Sequence, residues 1–103
     1  MYVRQVKAHY NPGKFDMLNQ RFEEDVIPLL KKQSGFRDEL SFFDRDKNEA
    51  IAMSFWDTKQ DADTYARDLY PSIHKKMEET LKDTPQVQSF EIANSTWYDI
   101  HAS

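Results

Sequence analysis

Between residues 40 and 66 the chain reads LSFFDRDKNEAIAMSFWDTKQDADTYA. Two apolar segments, residues 40–43 and 50–56, flank a charged turn, and the second runs straight into a helix start at Asp57 and Thr58. A hairpin that feeds a helix limits the fold sharply. To close a small sheet it needs a strand and a helix ahead of it and one more strand behind it. The rest of the chain supplies them.

Residues 2–10 have the β-branched and aromatic content of a strand. By alternation Tyr2, Arg4, Val6, Ala8 and Tyr10 share one face, and Val3, Gln5, Lys7 and His9 the other. Asn11-Pro12-Gly13 ends the strand in a turn. Phe15, Leu18, Phe22, Val26, Leu29 and Leu30 then recur at spacings of three and four, which predicts a helix over residues 14–33. Pro28 lacks a backbone donor and is expected to kink it. Gly35 supplies the left-handed cap that closes it.

Phe36–Asp44 and Glu49–Trp56 are the hairpin strands, with Arg45-Asp46-Lys47-Asn48 as the polar tip. In the second of them Ile51, Met53 and Phe55 oppose Ala50, Ala52, Ser54 and Trp56. Both sets are largely apolar, so this strand is expected to be central and covered on both sides. Asp57 with Gln60, or Thr58 with Asp61, is placed to cap the next helix, whose buried stripe is Ala62, Tyr65, Ala66 and Leu69. Pro71 interrupts that helix and begins a shorter one carrying Ile73, Met77 and Leu81. Residues 86–100 read as a long last strand. At roughly 3.3 Å per residue it would reach about 50 Å, more than a small sheet spans. It is therefore expected to bend or break, with residues 96–100 reaching a partner subunit through Trp97 and Tyr98.

The order strand–helix–strand–strand–helix–strand predicts an α+β, ferredoxin-like domain. Right-handed crossovers would build a four-stranded antiparallel sheet with both helices on one face. The 103 residues hold one such domain and no second. The other sheet face is left bare. A second copy of the same face is the expected cover, which makes the chain a homodimer. Aromatic residues reach 14%, more than a minimal core needs, so some rings are expected to line a cavity or a subunit contact.

A net charge of −4 with no basic stripe argues against nucleic-acid binding. No apolar run is long enough to span a bilayer, and the first residues lack a signal-peptide core, so a cytoplasmic protein with no membrane partner is expected. The absence of cysteine excludes disulfides, thiolate catalysis and thiolate metal sites. No glycine-rich loop suggests a nucleotide cofactor, and His9, His74 and His101 lack metal-ligand spacing. The carboxylates, such as Glu23-Glu24-Asp25 and Glu78-Glu79, read as solvated charges on helix faces, with no pair suited to acid–base work.

Several stretches resemble the antibiotic biosynthesis monooxygenase family of dimeric α+β barrels. Gln33-Ser34-Gly35-Phe36 is similar to the family's helix-ending Gly-Phe before its second strand. Ser54-Phe55-Trp56-Asp57-Thr58-Lys59-Gln60-Asp61-Ala62 is similar to its strand-three Trp, cap and helix start. Tyr70 followed by Ile73-His74 resembles the segment after its helix break. The resemblance covers nearly the whole chain and is more specific for fold than for activity. Members include cofactor-free oxygenases of polycyclic phenols, haem-degrading oxygenases and small proteins without a known substrate. The haem-degrading branch carries an Asn on strand one, an aromatic on helix two and a His about three turns later. Tyr65 and His74 stand at the last two positions, but Val6 stands at the first, which counts against haem degradation.

The resemblance implies a cofactor-independent monooxygenase that oxidises a flat aromatic or polycyclic molecule in a helix–sheet cavity, with no metal or flavin. A substrate that becomes a carbanion or phenolate supplies the electron to oxygen itself. The protein then needs an apolar pocket, a base and hydrogen-bond donors. His74 would be the base and Tyr65 a donor. Trp56 would stack on the ligand, with Phe22 and Arg4 also in contact. Plainer roles stand beside these: His74 at the surface next to Lys75 and Lys76, Trp56 and Tyr65 in the core, Arg4 at an edge or interface. The competing function class is a non-catalytic dimeric module that binds a small molecule or serves in stress.

Overall fold

The computed structural model describes residues 1–98, 100 and 101. Four strands, β1 (Tyr2–His9), β2 (Phe36–Asp44), β3 (Glu49–Trp56) and β4 (Gln86–Glu91), form one antiparallel sheet in the order β2-β3-β1-β4. Helices α1 (Phe15–Arg21), α2 (Ile27–Lys31), α3 (Lys59–Asp68) and α4 (Tyr70–Met77) cover one face. This is the α+β, ferredoxin-like plan expected from the element order. The sheet stays open at β2 and β4, so one chain does not close a barrel.

β3 takes the inner position that its two apolar faces require. Its register sets Ser54 against Arg4, Ala52 against Val6 and Ala50 against Ala8. On its other side the same three residues meet Glu39, Ser41 and Phe43 of β2. All of these lie on the helix-covered face. Arg37 is an extra residue between the pairs Phe36–Trp56 and Asp38–Phe55. This bulge lets Phe36 share the helix-side face with Glu39, which simple alternation forbids.

Two clusters hold the sheet. Under the helices Trp56 packs with Val26, Leu30, Ala62, Tyr65, Ile73 and Met77. On the opposite face Met1, Val3, Phe55 and Ile100 pack together, with Leu40, Met53 and Ile92 beside them.

The first helix departs from expectation. Residues 14–33 are not one helix kinked at Pro28, because Phe22–Val26 forms a π turn between α1 and α2. The Ile27 N–H donates to the Phe22 carbonyl, five residues back. Pro28 has no N–H for the Glu24 carbonyl, and the ladder widens upstream of the ring instead of bending at it. The later helices follow their sequence signals. Thr58 Oγ1 accepts from the Asp61 N–H at 3.1 Å and donates to Asp61 Oδ2 at 2.9 Å, so of the two expected caps this one forms. Pro71 sits in the first turn of α4. Gly35 has φ of 78° and lies so close to the Asp61 carboxylate that a Cβ there would collide with it.

The last strand also ends sooner than residue 100. Pairing stops at Glu91, opposite Tyr2, and the Ile92 N–H makes one more bond to the Met1 carbonyl at 3.0 Å. The expected break is present. Beyond it the chain packs against its own sheet: Ile100 is buried with Met1, Val3 and Phe55, and the Trp97 ring is 6.1 Å from that of Phe55. Tyr98 is 98% exposed, and Asp99 lies outside the described residues. Among the described residues no helix is long and apolar enough to cross a membrane.

Candidate functional site

The helix-side face of the sheet carries an unusual run of small groups. Ala50, Ala52 and Ser54 of β3 stand beside Ala8 and Val6 of β1. Helices resting on such a floor cannot fill the space above it, and a cavity of about 210 Å³ remains. Phe15, Leu18, Phe22 and Val26 form one wall, and Tyr65, Tyr70, Ile73, His74 and Met77 the other. Phe22 opens the π turn, so the widened ladder lies on the cavity wall.

A few polar groups enter this apolar space. Arg4 is only 5% exposed, yet lines the cavity. Its guanidinium carbon lies 4.0 Å from the Tyr70 ring centroid and 5.5 Å from that of Tyr65. Among the described residues no carboxylate comes within ion-pair distance of it. Removing a cation from water costs several kcal/mol, and a desolvated aromatic face returns roughly 2 kcal/mol. Two ring faces and a hydrogen bond to the Tyr70 side chain stabilise Arg4 in part, and they leave its charge without a carboxylate among the described residues.

Tyr65 stacks on Trp56, with ring centroids 4.9 Å apart and planes 30° apart. Burial pushes its hydroxyl up to about 12, against a smaller opposing pull from Arg4. Tyr65 is thus a neutral donor across the working pH range. Burial also raises Tyr70, again opposed by Arg4. His74 is half-buried one turn after Tyr70, the two rings nearly parallel at 12° and 6.3 Å apart. Across the floor, burial raises the Glu39 carboxyl above its ordinary value, while the Ser41 hydroxyl, donating to Oε2 at 2.5 Å, pulls it back down. Among the described residues no cluster of three or more His, Asp or Glu could hold a metal ion.

No family model matches the sequence, and no curated protein does. Solved structures do match. One is an antibiotic biosynthesis monooxygenase, 10% identical, aligned over 90% of this chain and 99% of its own with a TM-score of 0.72. A monooxygenase of Streptomyces coelicolor, solved with nanaomycin D, is 13% identical over 93% of this chain and 90% of its own, with a TM-score of 0.77. A variant of MhuD, solved with two manganese protoporphyrin IX molecules per active site, is 12% identical over 94% of this chain and 99% of its own, also at 0.77. The chain has the fold of the antibiotic biosynthesis monooxygenases.

Within that monooxygenase fold the residues picked out by sequence are placed unequally. His74, Tyr65, Phe22 and Arg4 all line the one cavity. Trp56 does not. It is 0% exposed, lies behind Tyr65, and donates from Nε1 to Ser54 Oγ at 2.9 Å. A ring with no free surface cannot stack on a ligand, so the wall assigned to Trp56 is formed by Tyr65 and Tyr70. Arg4 sits neither at an edge nor at an exposed interface, since β1 is an inner strand. Glu39 is the group that sequence reasoning missed. Acid–base carboxylates announce themselves as pairs, and this one is a single strand residue between Asp38 and Leu40. The row of small residues facing it on β3 was the available signal.

Proposed function

We propose that the cavity binds a flat, weakly acidic aromatic or polycyclic molecule, and that the protein oxidises it with molecular oxygen as a cofactor-independent monooxygenase. The observation that carries this reading is the convergence of Arg4, Tyr65 and His74 on one apolar cavity walled by aromatic rings. His74 takes a proton from an activated C–H or phenol. Arg4 and the Tyr65 hydroxyl stabilise the resulting anion. The carbanion passes an electron to oxygen and joins it as a hydroperoxide. Loss of water from that hydroperoxide turns a ring CH₂ into a carbonyl: one oxygen atom stays, and the other leaves with both hydrogens. The Streptomyces coelicolor monooxygenase with nanaomycin D bound supports a polycyclic ligand in this fold.

The haem reading has less support. An apolar cavity of about 150 Å³ holds a benzene ring, and one of about 210 Å³ suits a small fused aromatic better than a macrocycle. Val6, at the position where haem-degrading members carry Asn, contributes no polar side-chain atom. Oxygen uptake with a panel of anthrone-like phenols tests the proposal. Consumption of one O₂ per quinone formed is the expected result. Compounds that raise the melting temperature without any product would assign the protein to the non-catalytic binding class instead.

A homodimer through the open sheet face belongs to the same reading. Phe42 lies opposite Ile51 and Phe90 opposite Val3, both on the face away from the helices, and each is 46% exposed. The chain's own tail covers the middle of this face and leaves these rings free for a second copy. Sedimentation at micromolar concentration is expected to give a dimer, which Phe42→Asp with Phe90→Asp converts to monomer. A wild-type chain that sediments as a strict monomer rejects the pairing.

A further inference from the structure

Arg4, Ser54 and Glu39 stand in one row across the cavity floor, on three adjacent strands. Neighbouring strands lie about 4.8 Å apart, which puts Arg4 and Glu39 roughly 10 Å apart at the backbone. Both side chains line the cavity, and the wall between them is built from apolar and aromatic groups such as Val26, Phe22 and Tyr65. The floor is thus polarised: a cation at one end and a carboxyl at the other, with Ser54 between them in the register and the Tyr65 hydroxyl interacting with both. Arg4 makes no ion pair with Glu39 or with any other described carboxylate. Ser41 is the hydrogen-bond partner of the Glu39 side chain.

We infer that the ligand of this cavity is a flat aromatic anion that places its acidic oxygen at Arg4 and a hydroxyl at its opposite end, donating to Glu39. The place of binding rests on the proposed function, and the inference adds the charge and the orientation of the ligand. A neutral hydrocarbon fills the apolar space but leaves a buried guanidinium without a counter-charge. A carboxylate or phenolate at Arg4 supplies it through a charge-assisted hydrogen bond. A second anion at the far end meets Glu39 and is repelled. A hydroxyl there donates to the carboxylate and offsets the burial that disfavours its charge.

Calorimetry with four probes tests this on the wild-type chain: naphthalene, naphthoate, a hydroxynaphthoate with acid and hydroxyl on opposite rings, and the corresponding naphthalene dicarboxylate. Naphthoate is expected to bind about ten- to a hundredfold more tightly than naphthalene. The hydroxynaphthoate should bind more tightly still, and the dicarboxylate more weakly than naphthoate. Arg4→Gln should remove the preference for naphthoate over naphthalene while naphthalene binding persists, a change of ratio that mere loosening of the fold does not produce. Glu39→Gln should bring the dicarboxylate up to naphthoate. Equal affinity of the wild-type chain for naphthalene and naphthoate overturns the inference, a result that needs no variant to fold. A naphthoate preference that survives Arg4→Gln overturns it as well. Anion preference without oxygen uptake removes only the monooxygenase reading, and turnover of neutral phenols with no anion preference removes only this inference.

Discussion

Trp56→Ala is expected to lower the stability of the fold by about 3–5 kcal/mol, the usual cost of emptying a buried aromatic site. Small domains have about 5–15 kcal/mol in all, so the variant should sit near its unfolding threshold. The ring is 0% exposed and joins three parts of the chain. It stacks on Tyr65 of α3 at 4.9 Å, takes the Phe36 ring of β2 edge-on at 5.6 Å, and donates to Ser54 Oγ of its own strand. Its loss leaves a void beneath the cavity wall and frees Tyr65 to rotate away from Arg4, so ligand affinity falls with stability. Trp56→Phe keeps much of the volume and loses the Nε1 donor, and its cost should be smaller. Urea denaturation checks both through the midpoint at constant slope. If Trp56→Phe changes ligand affinity while the midpoint stays put, the ring acts as a ligand wall after all and its assignment to the core is wrong.

His74→Ala is expected to lower kcat/KM for the oxygen-consuming reaction by about a hundredfold or more, the range of a positioned general base. Stability should hardly change. The side chain is half-buried, and among the described residues it meets the parallel Tyr70 ring at 6.3 Å. A steady melting temperature with collapsed turnover would separate a chemical role from a packing role. Unchanged turnover would move the base function to Glu39, a cavity-lining carboxyl that burial raises above its ordinary value. Tyr65 adds a sign to the pH profile. Its hydroxyl keeps its proton up to about 12, so donation persists as pH rises through the ordinary tyrosine range. An activity limb falling near pH 10 in wild type, absent in Tyr65→Phe, would show that the buried hydroxyl titrates normally and contradict its placement.

Much of the fold was legible because its signals are local. Thr58 and Asp61 are three residues apart, and their cap needs only the first turn of α3 to form. The hairpin tip at Arg45-Asp46-Lys47-Asn48 shows the same locality. Asp44 Oδ1 accepts from the Asp46 and Lys47 N–H groups, and Asn48 takes the positive φ of 51° that closes the turn. The two apolar faces of β3 announced its inner position, since a strand buried on both sides has few other places to go. His74, Tyr65, Phe22 and Arg4 were also legible, through periodicity and a family resemblance, though not what each of them touches.

The tertiary structure decided the rest, and most cases turn on a partner distant in the chain. β4 stops at Glu91, opposite Tyr2 of β1, a pairing between residues at the two ends of the chain. The π turn arises from a missing donor at Pro28 but falls at Phe22–Val26, a choice between two ways of satisfying the same carbonyls. The bulge at Arg37 fixes which side of β2 carries Glu39, and alternation alone cannot see an inserted residue. Trp56 was equally plausible as wall or core by its place on the strand. The ring of Tyr65, arriving from α3, covers it. The cavity is a difference of volumes, small groups on β1 and β3 against large ones on the helices. Each set is visible in the sequence, but the space between them exists only once the register of the sheet has placed one beneath the other.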